Sequence, residues 1–188
     1  MGELIYSAIA SLDGYVADVA GKFDWSVPDE EVHAFVNDQE RPIGTYVYGR
    51  KMYEVMRAWQ DDALLGDRPN ATLKDYASIW RAADKVVVST TLTAPTTPRT
   101  RIATSFDPEA VRALVSRADA DVSIGGPTIA AAALRAGLVS EIRLFLSPAV
   151  VGGGLRALPD DLRLDLELLD TRRFANGVVF TRHAVRAP

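Results

Sequence analysis

The sequence contains no cysteine, which excludes disulfides, thiolate zinc sites and cysteine nucleophiles. It has only two histidines, His33 and His183, and isolated histidines predict no metal site. We expect His33 on the polar side of its helix and His183 on an outward strand face or edge. Without cysteine, and with an acidic residue where a secretory signal would be basic, the chain is expected to be cytoplasmic.

Long apolar runs are also missing, because the most Ala/Leu-rich segment, 129–139, is short and interrupted by Arg135. A net charge of -4 argues against a nucleic-acid partner, since phosphate backbones require a basic surface. Hydrophobic residues make up 48% and charged residues 24% of the 188 residues, the balance of an ordinary globular protein. The composition therefore predicts a single domain over 1–188 with neither a membrane nor a nucleic-acid partner.

Hydrophobic periodicity predicts strands that alternate with helices over about three quarters of the chain. The predicted strands are 4–10, 45–48, 85–89, 121–124, 141–147 and 178–185. The predicted helices begin near Pro28, Gly49, Asp107 and Thr128, with a short one around Tyr76 and Trp80. Residues 61–71 and 93–100 are predicted loops. Leu164, Leu166 and Leu168 alternate with polar residues before Asn176-Gly177, which predicts a closing antiparallel hairpin. The pattern indicates an α/β fold with a mixed sheet and helices on both faces.

Three predicted strands end in small residues, Gly49, Ser89 and Gly125, where a helix or loop begins. Ligands of open α/β sheets bind outside these carboxyl ends. A glycine before a helix lets the backbone approach an oxyanion while free N–H groups point at it, and Arg50-Lys51 adds positive charge at the first turn. A Gly-Gly pair is also typical of a tight connection, and Arg50-Lys51 of an ordinary solvated surface. Each turn alone is therefore weak evidence for phosphate binding.

Five motifs in order carry a family resemblance. They are Ser11-Leu12-Asp13-Gly14-Tyr15, Gly49-Arg50-Lys51-Met52-Tyr53-Glu54, Ile124-Gly125-Gly126-Pro127-Thr128, Pro148-Ala149-Val150-Val151-Gly152 and Phe174-Ala175-Asn176-Gly177-Val178. The chain resembles the dihydrofolate reductase-like superfamily, as a stand-alone relative of the C-terminal reductase domain of bifunctional riboflavin-biosynthesis deaminase-reductases. The resemblance implies a three-layer fold with a mixed sheet of about eight strands.

The resemblance also implies a bound NADPH. The matching cofactor residues are Gly49, Arg50, Lys51, Met52, Ser89, Thr90, Gly125, Gly126, Pro127 and Thr128. Met52 and Thr90 depart from the family, because relatives often have a threonine at the first position and a basic residue at the second. Loss of a charged partner for the adenosine 2′-phosphate leaves NADH as an alternative and makes Arg50 the expected discriminator.

The proton donor is the least determined part of the expected site. Glu30 and Glu31 stand roughly where dihydrofolate reductases place the carboxylate that binds the pterin, but acidic residues also stabilise a helix start. Asp13 is a further candidate, either for a substrate amine or for its own turn. The expected substrate pocket includes Ala10, Asp13 and Trp25.

The resulting hypothesis is a reductase that transfers a hydride to a small nitrogen heterocycle or sugar-linked pyrimidine. Candidates are a pterin, a dihydrofolate-like compound and a 5-amino-6-ribosylaminouracil phosphate-like compound. The alternative is a nucleotide-binding module of the same fold without turnover, since fold alone does not establish activity. A homodimer is expected because relatives commonly pair and the closing hairpin offers an edge.

Overall fold

The computed structural model describes residues 2–62 and 70–186, so most of the loop predicted over 61–71 lies outside the described residues. The strands are β1 (Leu4–Ser11), β2 (Tyr15–Ala17), β3 (Ile43–Gly49), β4 (Asp84–Val88), β5 (Thr100–Ala103), β6 (Asp121–Gly125), β7 (Glu141–Ser147), β8 (Leu155–Arg156), β9 (Leu166–Arg173) and β10 (Val179–Val185). The helices are α1 (Glu30–Glu40), α2 (Arg50–Met56), α3 (Ala71–Ala82), α4 (Pro108–Arg117) and α5 (Pro127–Arg135).

Eight of these strands form one mixed sheet in the order β5-β4-β3-β6-β1-β7-β10-β9. The six strands from β5 to β7 in that order are parallel, whereas β10 is antiparallel to both β7 and β9. Strands β2 and β8 form a separate small antiparallel pair. The predicted mixed sheet and its C-terminal antiparallel hairpin are confirmed.

Alternate residues of each strand point to opposite faces of the sheet. Apolar residues lie on both faces, and helices cover both of them. On one face Leu4 and Tyr6 of β1 pack in a core with Val111 of α4 and Ile129 of α5. The other face packs against α1, α2 and α3 in two further clusters. The three-layer arrangement is therefore confirmed.

The connections reverse direction between neighbouring strands β3 and β6. Helix α2 follows β3 and leads towards β4 on one side, whereas α5 follows β6 on the opposite face and leads towards β7 on the other side. Such a topological switch point opens a crevice at the carboxyl edge of a parallel sheet. This crevice is where the fold offers a ligand site.

Two local predictions were wrong. The segment 93–100 was predicted as a loop without a following strand, but Thr100–Ala103 forms the edge strand β5. Helical spacing predicts that Met52, Val55, Met56 and Trp59 form the apolar stripe of α2, but Val55 is 47% exposed and Tyr53 is fully buried in its place. The α-helix ends at Met56 and continues as a 3-10 turn, so spacing extrapolated over a longer helix misplaced one member of the stripe.

His33 was also predicted wrongly, because it is only 8% exposed instead of lying on a polar face. Its ring centroid is 5.7 Å from that of Trp59 and 5.4 Å from that of Tyr76. These aromatic side chains come from segments outside the helix, so helical periodicity gave no sign of them. Burial lowers the pKa of His33.

Stability should therefore fall as the pH drops below about 6.5, where the histidine of the unfolded chain takes up a proton that buried His33 resists. We expect His33→Phe to remove this part of the pH dependence, whose slope cannot exceed about 1.4 kcal/mol per pH unit for one proton. Urea unfolding of both proteins at pH 7.5 and pH 5.5 measures it. Burial raises the pKa of Glu40, so Glu40 makes stability increase as the pH falls. This contribution is the same in both proteins and cancels in their comparison. Identical pH dependence in the two would refute the assignment.

Candidate functional site

The predicted cofactor residues come together at the carboxyl ends of three adjacent strands. Gly49 of β3 lies opposite Val88, directly before Ser89, and Tyr48 of β3 lies opposite Gly125 of β6. The Gly-Arg-Lys turn, the Ser-Thr turn and the Gly-Gly-Pro turn thus line one edge of the sheet, on either side of the switch point.

The two glycines after β6 have packing reasons of their own. A Cβ on Gly125 would lie 2.7 Å from the ring of Tyr48, which is buried and accepts a hydrogen bond from Trp80 Nε1 at 3.2 Å. Gly126 has φ of 98°, which side-chain-bearing residues rarely adopt, and a Cβ there would lie 3.2 Å from the Met52 Cβ. Met52 therefore packs on the Gly-Gly turn and brings α2 against it.

The helices beside the crevice differ from the others in their N-caps. Asp29, Asn70 and Asp107 cap α1, α3 and α4 by accepting a hydrogen bond from a backbone N–H. Helices α2 and α5 begin at Gly49 and Gly126 without a side-chain cap. Since N-terminal N–H groups need partners, the first turn of the nine-residue α5 keeps donors available to an anion.

Positive charge lies beside these uncapped turns. Arg50 Nε donates to Glu54 Oε1 at 2.7 Å, and Arg50 Nη1 donates to Thr91 Oγ1 at 2.6 Å. Lys51 is exposed, and it forms no ion pair within the part of the chain that the structure describes. Arg50 thus links α2 to the loop after β4, while the Lys51 ammonium remains available.

The loop after β4 is shaped by its own hydroxyls. Ser89 is buried, and its Oγ accepts hydrogen bonds from the backbone N–H groups of Thr91 and Leu92 at 3.2 and 3.0 Å. Thr90 and, across the crevice, Thr128 are exposed at the edge, and Pro127 occupies the first turn of α5. Of the predicted hydroxyls, those of Thr90 and Thr128 face solvent, whereas Ser89 organises the loop.

A cavity of about 150 Å³ lies on the other side of β1, on the face covered by α1. Its walls are Ile9, Trp25, Ser26, Val27, Pro28, Val32, Phe145, Ser147, Pro148, Asn176 and Val178. Trp25 was predicted here, but Ile9 lines the cavity instead of the predicted Ala10. Adjacent strand residues face opposite sides of the sheet, and Ala10 is fully buried.

The predicted Asp13 lies outside the cavity walls and serves a neighbouring loop. Its carboxylate accepts hydrogen bonds from the backbone N–H of Gly152 at 2.7 Å and of Val151 at 3.2 Å. Hydrogen bonds from the Ser11 hydroxyl and from these backbone groups hold the pKa of Asp13 below its usual value. A carboxyl so stabilised in its ionised form is a poor proton donor at neutral pH.

The predicted carboxylates of α1 do not line the cavity either. Glu30 is exposed at the start of the helix. Glu31 pairs with Arg172 Nη2 at 3.3 Å and accepts a hydrogen bond from the Ala175 N–H at 3.2 Å. Glu31 thus connects the start of α1 to the β9–β10 hairpin. Helix α1 and this hairpin form two of the cavity walls.

Sequence reasoning missed several residues of the site. Thr91, which holds Arg50, and the cavity residues Ser147 and Asn176 were not predicted as site residues. Two of the three had a signal, because Ser147 ends a predicted strand and Asn176 belongs to a motif quoted for the family. Trp25 Nε1 is buried and has no hydrogen-bond partner among residues 2–62 and 70–186, which makes it a donor available at the cavity wall.

Two further findings limit the classes of site. Over residues 2–62 and 70–186, no helix combines the length and apolar character needed to cross a bilayer. The same residues contain no cluster of three or more histidine, aspartate and glutamate side chains that could hold a metal ion.

Comparison with known proteins agrees with this architecture. The chain is 28% identical over 181 residues to uncharacterized protein YyaP of Bacillus subtilis (strain 168), covering 94% of this chain and 92% of YyaP. A Shewanella sp. PV-4 protein proposed to act in riboflavin biosynthesis superposes with a TM-score of 0.74 at 21% identity, covering 98% of this chain and 99% of that one.

A bifunctional enzyme shares the fold over part of its length. The Thermotoga maritima diaminohydroxyphosphoribosylaminopyrimidine deaminase/5-amino-6-(5-phosphoribosylamino)uracil reductase superposes with a TM-score of 0.68 at 16% identity, over 98% of this chain and 57% of that chain. The family model described as the RibD C-terminal domain matches residues 3–180. The resemblance inferred from the five motifs is confirmed: the chain belongs to the RibD C-terminal domain family.

Proposed function

We propose that the protein is an NAD(P)H-dependent reductase of a small nitrogen heterocycle, with NADPH as the preferred cofactor. The observation that carries the proposal is the placement of two sites on either side of one strand. The crevice between β3 and β6 has uncapped helix starts and the positive charge of Lys51, and a partly open cavity lies between β1 and α1. A ligand that extends from the crevice across the end of β1 would meet a ring held in the cavity.

The crevice residues fit a dinucleotide. The N–H groups at the start of α5 and the Lys51 ammonium would bind the diphosphate, since both favour an anion. Arg50 would meet an adenosine 2′-phosphate by exchanging its contact with Thr91 or Glu54, whereas neutral Thr90 adds no charge. Arg50 therefore supports NADPH over NADH.

The cavity fits a flat ring better than a large substrate. Its volume of about 150 Å³ is below the range of about 300–1,000 Å³ that is usual for whole ligands, so attached sugar or side-chain groups would remain outside. Its walls are mainly apolar, with Ser147, Asn176 and Ser26 as polar groups. This arrangement suits a pyrimidine or pterin, including the ribosylaminouracil type named for the Thermotoga maritima relative.

The chemistry would be a hydride transfer from the bound dihydronicotinamide to a C=N or C=O carbon of the substrate. The protein would hold the two rings in line within the cavity. None of the cavity walls, all formed by described residues, carries a carboxyl or imidazole group. We therefore infer that the proton comes from water at the open side.

The lack of an acid on those walls also favours a second candidate, a nucleotide-binding module without turnover. Both candidates require binding of the nucleotide, and they differ only in its consumption. Following NADPH absorbance with dihydrofolate, dihydropterin and ribosylaminopyrimidine substrates separates them. Turnover of any substrate removes the second candidate, and binding without consumption across the panel removes the first.

Binding itself should be visible as thermal stabilisation. NADPH at a hundredfold excess over its dissociation constant should add about 2.7 kcal/mol to the free energy of unfolding, because it binds only the folded chain. For a domain of this size that raises the melting temperature by several degrees. Differential scanning fluorimetry with NADPH, NADH and adenosine alone measures the shift. Neither dinucleotide shifting the transition would contradict both candidates.

A further inference from the structure

Ser147 is a buried polar residue on the cavity side of β7. It ends that strand, is 2% exposed and forms part of the cavity wall. Its side chain lies on the same face of the sheet as that of Phe145, another wall residue, because residues two apart in a strand point the same way. Within residues 2–62 and 70–186 the Ser147 hydroxyl makes no hydrogen bond. Since buried hydroxyls nearly always have a partner, this one is available to a ligand.

The neighbouring strand ends in a serine whose hydroxyl is already used. Ser11 lies opposite Ser147 in the parallel ladder of β1 and β7, and it is fully buried. Ser11 Oγ accepts a hydrogen bond from the Tyr15 N–H at 3.0 Å, and its hydroxyl donates to the Asp13 carboxylate, which lowers the pKa of Asp13. Ser11 thus holds the loop that follows its strand, whereas the Ser147 side chain holds no part of the described structure.

The other polar groups of the cavity wall cannot pass on a proton. The Ser26 hydroxyl donates its proton to a backbone carbonyl at 2.7 Å. The Trp25 indole N–H and the Asn176 amide N–H groups donate but do not accept, and Asn176 Oδ1 is occupied by the Val178 N–H at 3.0 Å. A hydroxyl donates and accepts at the same time. Among the wall residues, all of which the structure describes, Ser147 is therefore the one that can receive a proton on one side and give one on the other.

We propose that Ser147 is a catalytic residue that passes a proton from water to the substrate ring. The inference rests on the proposed function, because it takes the cavity as the site of the ring. When the carbon of a C=N group gains a hydride from the dihydronicotinamide, the electron pair of the double bond moves to the nitrogen. This nitrogen takes the proton of Ser147 Oγ and becomes an N–H group.

The Ser147 oxygen regains its proton from water. Val27 is a wall residue and is exposed, so the cavity opens to solvent beside it. A water molecule at this opening gives a proton to Oγ as Oγ gives its own to the ring, and solvent neutralises the hydroxide that is left. The two transfers occur together, because a free serine alkoxide is not stable at neutral pH.

Turnover by three variants tests the relay. Ser147→Ala should lower kcat about a hundredfold, the lower end of what a positioned proton donor contributes, and should leave the KM for NADPH nearly unchanged. Ser147→Thr keeps the hydroxyl and should restore most of kcat. NADPH absorbance, followed with each substrate of the panel given above, measures both parameters. The melting temperature of Ser147→Ala should stay at that of the natural chain, since the hydroxyl has no partner among the described residues.

The matched control is a buried serine of a neighbouring strand. Ser123 of β6 is 6% exposed and is not a wall residue of the cavity. Ser123→Ala should therefore keep the kcat of the natural chain. A kcat for Ser147→Ala equal to that of Ser123→Ala, or a kcat that Ser147→Thr does not restore, would overturn the relay.

Binding of the ring without nucleotide separates this inference from the proposed function. In isothermal titration with dihydropterin and with the ribosylaminopyrimidine, Ser147→Ala should bind about two- to tenfold more weakly than the natural chain, the effect of one neutral hydrogen bond. A natural chain that consumes no NADPH with any substrate contradicts the proposed function, and the titration then decides whether Ser147 contacts the ring. Equal affinities of the natural chain and Ser147→Ala would overturn the inference while leaving the nucleotide site unaffected.

Discussion

Replacing Glu141 with leucine should lower the free energy of unfolding by about 3–5 kcal/mol, because it leaves buried Arg143 without the carboxylate that it contacts. The Glu141 side chain is 3% exposed and that of Arg143 is 6% exposed, with 2.6 Å between Glu141 Oε1 and Arg143 Nε. Arg182 adds a second contact at 2.7 Å to Oε2. Arg143 also donates to the Gln39 carbonyl at 2.8 Å, which fixes the guanidinium under the end of α1. Arg143 therefore cannot easily turn to solvent when Glu141 is removed.

The matched comparison is an ion pair at the surface. Asp161→Ala breaks the pair between Asp161, which is 68% exposed, and Arg135, which is 48% exposed, and should change the free energy of unfolding little because solvent screens both charges. Combining Glu141→Leu with Arg143→Met should recover part of the loss, since the guanidinium that lost Glu141 is then no longer buried. Urea unfolding at neutral pH measures all three variants. A loss for Glu141→Leu no greater than that for Asp161→Ala would contradict the prediction.

The pH dependence provides a second check on Glu141. Burial alone would raise its pKa, but hydrogen bonds from Arg182 and Arg143 bring the pKa below its usual value. The stabilisation is therefore complete above the unfolded pKa of about 4.3 and is lost as the pH falls through the lower folded pKa. The difference between the natural chain and Glu141→Leu should shrink in acid.

Local patterns in the sequence were sufficient to predict most of the fold. Asp107-Pro108 marks the start of α4 and Asn176-Gly177 the closing hairpin, because capping and turn chemistry act within a few residues. Edge strand β5 was missed because its four residues follow a proline-rich connection and show little apolar alternation. Buried His33 was missed because its neighbours are supplied by α3 and the turn after α2.

The site was predictable only in part, because local sequence patterns do not show contacts between distant segments. Strand-end turns such as Gly125-Gly126 are visible in sequence, since the carboxyl ends of parallel strands must meet at one edge. The cavity is assembled from four distant segments, and no periodicity links Trp25 to Asn176. Likewise, the sequence cannot show that Asp13 and Glu31 are held by backbone N–H groups of remote loops. Asp13 and Glu31 were predicted as proton donors because they are carboxylic acids, but their contacts show that they hold loops in place.

Gly126→Ala should reduce the thermal stabilisation by NADPH that the proposed function predicts to about half or less. Gly126 has φ of 98° at the N-cap of α5, and an added Cβ would lie 3.2 Å from the Met52 Cβ. Alanine rarely adopts this conformation, so the turn must shift and the first N–H groups of α5 must turn away from the crevice. A hydrogen bond to a charged group contributes about 1.5–3 kcal/mol, so the loss of even one lowers the affinity for the nucleotide at least tenfold.

A control must show that Gly126→Ala weakens NADPH binding and does not merely destabilise the fold. Gly137, at the other end of α5, provides this control. Gly137, just beyond the C-terminus of α5, has φ of 63°, and within the described part of the chain no atom lies within 4 Å of an added Cβ. Gly137→Ala therefore imposes backbone strain of a similar kind, of about 1–2 kcal/mol, at the end of α5 that faces away from the crevice. Both variants should melt below the natural chain, but only Gly137→Ala should keep the full stabilisation by NADPH. If both respond to NADPH alike, the Gly-Gly turn does not bind the phosphates and the nucleotide lies elsewhere on the sheet edge.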